Sequence, residues 1–136
     1  EGFWLMSFPD DLIYSSEHTW VRVDGDIATV GITDYAQDKL DEILSVELFP
    51  VDSSVEQGEP FGVIESVKVT TELISPVSGD IISINEDLAD DVGILNSDSY
   101  DTGWMIAVEL RDLGELDNLL DAGAYVDYIE ANEEAG

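Results

Sequence analysis

Lys68 is the side chain whose setting most needs a chemical explanation. The chain carries four basic residues, Arg22, Lys39, Lys68 and Arg111, against thirty-two acids. One of these scarce amines sits in a β-branched run from Gly62 to Gly79, with Val67 and Val69 on either side of it. Those residues favour strand, and Pro76 with Ser78-Gly79 punctuates the far end, so Lys68 is expected at or beside the bend of a hairpin. An amine on an exposed bend is available to a modifying enzyme.

Other chemistry is poorly provided for. His18 is the single histidine; beside so many carboxylates it invites a general-base reading, but no nucleophile or phosphate loop accompanies it, and a structural role is expected. No G-x-S-x-G, Walker or Rossmann fingerprint occurs. With no cysteine there is no disulfide, zinc-thiolate site or thiol nucleophile, so sulfur redox chemistry must arrive on a cofactor. The oxygen-rich stretch from Asn96 to Ala107 has Asp101 and Ala107 where a calcium loop needs glycine and glutamate. The chain therefore reads as neither an enzyme nor a metal protein.

A length of 136 residues suits one domain, and an apolar fraction of 44% with three tryptophans sets it apart from disordered acidic tails. A net charge of −28 opposes compaction unless counter-ions screen it. The acids are dispersed along the chain, a composition that resembles the proteins of salt-in halophiles. Such charge disfavours nucleic acid and anionic membrane surfaces. No apolar run approaches the roughly 20 residues of a spanning helix, no signal-peptide pattern opens the chain, and a cytoplasmic location is the default expectation. Met6 reads as a natural start, with residues 1–5 a short added remnant and residues 6–136 the domain.

The elements that must position Lys68 are mostly strands. Leu12 to Val23 alternates and stops at Asp24-Gly25-Asp26, where Gly25 suits a tight turn; Ile27 to Ile32 returns. Thr33 to Leu44 reads as a short helix with Asp34 and Gln37 as a capping box. Ser45 to Phe49 is a strand, Val51 to Glu59 a turn-rich connector, and Ile81 to Ile84 a strand after the hairpin. Asn85 to Asp101 reads as an acidic loop. Gly103 to Leu110 reads as a strand with Trp104, Ile106, Val108 and Leu110 on one face. Two short helices follow Arg111, the second after Gly123, and the tail from Asn132 should fray. Gly25 to Val30 echoes Gly79 to Ile84, a faint internal repeat.

The stretch Glu65-Ser66-Val67-Lys68 with Ser75-Pro76-Val77-Ser78-Gly79-Asp80 resembles the prosthetic-group hairpin of the lipoyl and biotinyl carriers. Within them the chain is similar to the H proteins of the glycine cleavage system. The likeness runs from about Pro9 to Glu133 and includes Tyr14 to Val21, Gly31 to Gln37 and Asn96 to Met105. Biotin carriers usually place methionine on both sides of the lysine, so the two valines favour lipoate. In that family the echo of Gly25 and Gly79 marks two quasi-symmetric halves.

The resemblance implies a mainly β fold, a flattened barrel-sandwich hybrid with short peripheral helices. It implies lipoate in amide linkage at Lys68, with Glu65 and Gly79 recognised by the lipoylating enzyme; the alternatives are a solvated strand acid and a turn glycine needed for its φ. The partners it implies are glycine decarboxylase, aminomethyltransferase and dihydrolipoyl dehydrogenase, among which an aminomethyl group is carried. The loaded arm is expected to rest in a cleft walled by Thr19 and Glu72, which shields it from water. Three departures stand out: Thr19 replaces a usual glutamate, with Glu17 next door; Tyr35 replaces a common histidine; and Ser99 stands where proline is usual. Two other roles fit the same residues, an H-like carrier in lipoate relay and an acidic binding domain of this fold that has lost modification.

Overall fold

The computed structural model describes residues 8–135; the expected remnant at residues 1–5 lies outside them. Two antiparallel sheets carry the fold. The first is built from β1 (Ile13–Tyr14), β2 (Thr19–Asp24), β3 (Ile27–Ile32), β9 (Ile106–Leu110), β8 (Gly79–Ile84) and β5 (Ser54–Val55), paired in that order. The second orders β4 (Ile43–Leu48), β6 (Pro60–Ser66) and β7 (Thr70–Ile74). Neither sheet closes on itself, and the flattened barrel-sandwich hybrid expected from the sequence is what is found.

Alternation explains the packing. Val30 and Ile32 of β3, Phe61 and Ile64 of β6, Ile81 of β8, and Ile106 and Val108 of β9 are all buried in one apolar cluster drawn from both sheets. At ~25 cal/mol per Å2 of apolar area removed from water, such a layer is the main force closing the sheets on each other. A second cluster lies outside it, where Leu12, Tyr14 and Trp20 pack against Ala122, Tyr125 and Ile129 of the C-terminal helix α4 (Ala122–Ala135). Tyr14 and Tyr125 stack with ring centroids 4.8 Å apart.

Gly25 takes φ 66° in the β2–β3 turn, as its sequence setting predicts. The echoing segments become β3 and β8, which flank β9 on opposite sides. Four local expectations are corrected. The helix after Thr33 is α1 (Asp34–Leu40), and its N-cap is Thr33, whose Oγ1 accepts from the Ala36 N–H. It stops four residues early because Asn96 captures the next turn: its amide nitrogen donates to the Asp41 carbonyl at 2.7 Å, and its Oδ1 accepts from the Ile43 N–H at 3.1 Å. Ile43 and Leu44 are thereby released into β4. The acidic stretch after Asn85 is not loop throughout but folds two single turns, α2 (Asp87–Asp90) and α3 (Ile94–Ser97), which bury Leu88 and Leu95. The segment after Arg111 is a 3-10 helix over Leu113–Asn118, and α4 continues to Ala135 through the tail expected to fray.

Candidate functional site

Lys68 is exposed in the bend between β6 and β7, beyond the last pair of the ladder, Glu65 opposite Thr70. Ser66 builds that bend. Its hydroxyl accepts from the Lys68 and Val69 N–H groups at 3.2 Å each, and its own N–H donates to the Val69 carbonyl at 2.9 Å. A serine bonding its own backbone a few residues on is the local chemistry of a tight turn. The Val67 N–H donates to the Glu42 carbonyl at 3.0 Å and ties the bend to the start of β4.

The ammonium is conspicuous for what surrounds it. Arg111 lies 3.8 Å from Glu56 and 3.9 Å from Asp80, Arg22 sits over the Trp20 ring, and Lys39 sits over the Tyr35 ring. Among the described residues Lys68 alone of the four cations has no such partner. Val67 and Val69 beside it are 52% and 48% exposed, so the bend is an apolar collar around an unpaired amine.

Of the two residues expected to mark this lysine, the structure puts only Glu65 near it. Glu65 is exposed at the end of β6 and accepts a hydrogen bond from Ser45 Oγ at 3.2 Å. Gly79 lies past the opposite end of β7, which alone spans about 13 Å at ~3.3 Å per residue. Nor is it a turn residue. It is extended within β8, paired with Leu110 and Val55, and a Cβ there would overlap the Glu109 carbonyl oxygen and lie 2.7 Å from Val108 Cγ1. Gly79 is glycine because strand β9 passes too close for any side chain and because its φ of 159° is one that residues with a Cβ rarely adopt.

Thr19 and Glu72 do share a cleft. It encloses about 340 Å3 between the β1–β2 connector, α1 and β7, and is lined by Glu17, His18, Thr19, Tyr35, Lys39 and Glu72 over an apolar floor that includes Ile32 and Ile64. Thr19 is 1% exposed and its hydroxyl is bonded to Ser15 Oγ at 2.7 Å, so it contributes wall rather than a ready polar contact. The carboxylates of Glu17 and Glu72 are exposed. Tyr35 lies tilted against the His18 ring, with 4.8 Å between centroids and 45° between planes.

A search of known families matches residues 12–132 to the model described as glycine cleavage H-protein. The chain belongs to the glycine cleavage H-protein family. It is 47% identical over 123 residues to the mitochondrial glycine cleavage system H protein 2 of Arabidopsis thaliana, covering 90% of this chain and 79% of that one. It is 49% identical over 120 residues to the Brevibacillus brevis glycine cleavage system H protein, covering 88% and 95%. The crystal structure of the Mycobacterium marinum H protein superposes with a TM-score of 0.81 at 34% identity, over 88% of this chain and 97% of that one. Membership makes the protein a carrier subunit of the glycine cleavage system, not a catalyst.

Sequence reasoning overlooked Tyr125. Its hydroxyl lies 2.8 Å from His18 Nδ1 and 2.8 Å from Thr33 Oγ1, behind the cleft wall. Nothing local to Tyr125 signals this, because the partners lie 107 and 92 residues away. Burial pushes the phenols of Tyr14, Tyr100 and Tyr125 well above the ordinary tyrosine range, so they remain hydroxyl groups at neutral pH. Burial also lowers the His18 pKa, with the Glu17 carboxylate opposing the shift.

Proposed function

We propose that Lys68 carries lipoate in amide linkage and that the protein presents this arm in turn to glycine decarboxylase, aminomethyltransferase and dihydrolipoyl dehydrogenase. The observation that carries the reading is the exposed, unpaired Lys68 amine on a serine-braced bend, in a chain whose other three cations are engaged. An amine free of carboxylates is the one a lipoylating enzyme reaches without first breaking an ion pair. Glu65, beside the bend, is the acid such an enzyme meets; the part of Gly79 in that recognition is to keep β8 seated on β9.

When bound, lipoate supplies a disulfide that opens to accept cargo and is closed again by the dehydrogenase. The chain's own residues do the holding. Glu72 lies four residues from Lys68, inside β7 while Lys68 is in the bend, so the two are no more than about 13 Å apart at ~3.3 Å per residue, a separation suited to an acylated lysine folded back along β7. There the carboxylates of Glu72 and Glu17 face the positive amine of the cargo, Thr19 completes the wall, and the apolar floor excludes water. The acidic surface we read as adaptation to high salt and the setting as cytoplasmic; among the described residues no helix is long and apolar enough to cross a membrane.

Intact-mass measurement of the protein made in lipoate-competent cells tests the attachment. One lipoyl increment that disappears in Lys68→Arg is expected, whereas an unmodified wild-type mass would leave an acidic binding domain. A modified protein that fails to accept methylamine with glycine decarboxylase would point to lipoate relay instead.

A further inference from the structure

The cleft wall is held from behind by a chain of hydrogen bonds that crosses three elements. Thr33 Oγ1 accepts from the Ala36 N–H at 3.2 Å as the cap of α1, and lies 2.8 Å from the Tyr125 hydroxyl. That hydroxyl is in turn 2.8 Å from His18 Nδ1. Thr33 is fully buried, and its hydroxyl proton has one acceptor among its partners in the structure, the Tyr125 oxygen. The proton order then follows by counting. Thr33 donates to Tyr125, Tyr125 donates to His18 Nδ1, and a neutral imidazole with Nδ1 accepting carries its proton on Nε2. In the reverse order the buried Thr33 proton is stranded without an acceptor.

We infer that Tyr125 is a positioning residue for the arm cleft: its hydroxyl locks the His18 loop to the cap of α1 and fixes the His18 proton on Nε2. This rests on the reading of the cleft as the resting place of the loaded arm. His18 takes φ 70°, a conformation that a residue with a Cβ holds only when its surroundings over-determine it. The His18 N–H donating to the Ser15 carbonyl at 3.0 Å and the Thr33 N–H donating to the His18 carbonyl at 3.1 Å hold that backbone, and the Tyr125 bond holds the ring it presents. Tyr35 follows the cap and lies against the imidazole, so both side walls move if the hydroxyl is lost. The arrangement also favours the uncharged imidazole in that wall, because a proton donated to Nδ1 stabilises the neutral ring. The other groups facing His18 are Glu17 in its own loop, Tyr35 and Lys39 from α1, Glu72 from β7, and Tyr128 from α4.

The test has two arms on the full chain. In the unmodified protein, long-range proton–nitrogen correlation of histidine labelled with nitrogen-15 reads the tautomer directly. A single Nε2–H form is expected in the wild type and in Thr33→Ser. Tyr125→Phe keeps the ring stacked on Tyr14 but is expected to show mixed tautomers and a His18 pKa raised toward the ordinary value. A wild-type Nδ1–H form, or a tautomer unchanged in Tyr125→Phe, overturns the inference. Should Tyr125→Phe not fold, Thr33→Val asks the same question from the other end of the chain of bonds. In the second arm, loss of the aminomethyl cargo to water is followed in the loaded protein. Tyr125→Phe is expected to speed it severalfold, as Glu72→Ala is. Acceleration by Glu72→Ala alone refutes the positioning role. Wild-type rates in both variants refute the resting-place reading itself, while the tautomer measurement still decides the lock.

Discussion

The hairpin bend and the cleft solve opposite problems within one strand's length of each other. At the bend nearly everything is local: Ser66, Lys68 and Val69 make the turn among themselves, with one tie from the Val67 N–H to the Glu42 carbonyl, and the exposed amine has no ion-pair or aromatic partner among the described residues. At the cleft everything is assembled. Segments around residues 17–19, 32–40, 64 and 71–74 meet there, and behind them Tyr125 joins from the C-terminal helix. A group that must be reached by several enzymes is served by exposure and independence from its neighbours. A group that must be kept from water is served by walls that cannot shift singly. The contrast makes the two regions separable by mutation.

The largest effect belongs to the bend. Lys68→Arg keeps the charge but removes the acylable amine, so modification is expected to fall to zero in an intact-mass measurement with the melting temperature unchanged. A melting temperature lowered by more than that of a surface substitution, roughly ±0.5 kcal/mol, would mean the bend is not independent. Next is salt, which bears on both regions. A charge of −28 is unscreened once ionic strength falls and the Debye length grows from ~3 Å at 1 M to ~30 Å at 0.01 M. Dialysis out of molar salt is expected to collapse near-UV and far-UV dichroism together. Retention of both signals at low ionic strength would remove the case for salt adaptation.

Gly79→Ala separates recognition from structure. Overpacking a strand against the Glu109 carbonyl should destabilise the fold by about 1–3 kcal/mol, read as a lower midpoint in denaturant. Poor lipoylation of Gly79→Ala at full stability would instead make Gly79 a contact of the modifying enzyme. Smaller again is Glu72→Ala. An exposed charge pair is worth roughly 0.5–1 kcal/mol, so cargo is expected to be lost about twofold to fivefold faster, with modification of Lys68 unaffected. An unchanged rate would remove Glu72 from the wall.

The same contrast decides what could be read from the amino-acid order. Lys68 at a bend was legible because β-branched propensity and turn residues are neighbours in the chain, and the sheet pattern was legible because alternation is local too. The glycine at 79 was expected in a turn but sits in β8: its φ of 159° and the close approach of β9 both call for glycine, and only the partner strand reveals the second demand. The extent of α1 failed because Asn96, fifty-five residues from Asp41, ends it. In the cleft Thr19 and Glu72 were found through family likeness, whereas Tyr125 has no sequence neighbour that betrays its partners.

The smallest expected effect is also the one that tests whether the cleft wall is rigid against a proton. Burial lowers the His18 pKa from its ordinary 6.5 in spite of Glu17, so the unfolded chain binds this proton more tightly than the folded one. The associated stability is therefore fully present above pH 6.5 and is lost as the pH falls through the lowered folded value. Acid also relieves repulsion among the many carboxylates, which acts in the other direction and hides the term in the wild type alone. His18→Asn removes the titrating ring, and asparagine tolerates a φ near 70°, so carboxylate effects are common to both proteins and cancel in their difference. Melting temperatures in molar salt should run parallel above pH 7 and diverge below 6.5, the wild type falling relative to His18→Asn. Parallel curves down to pH 5 would mean the imidazole is protonated in place without cost, and that the wall gives way where the hydrogen-bond geometry says it is held.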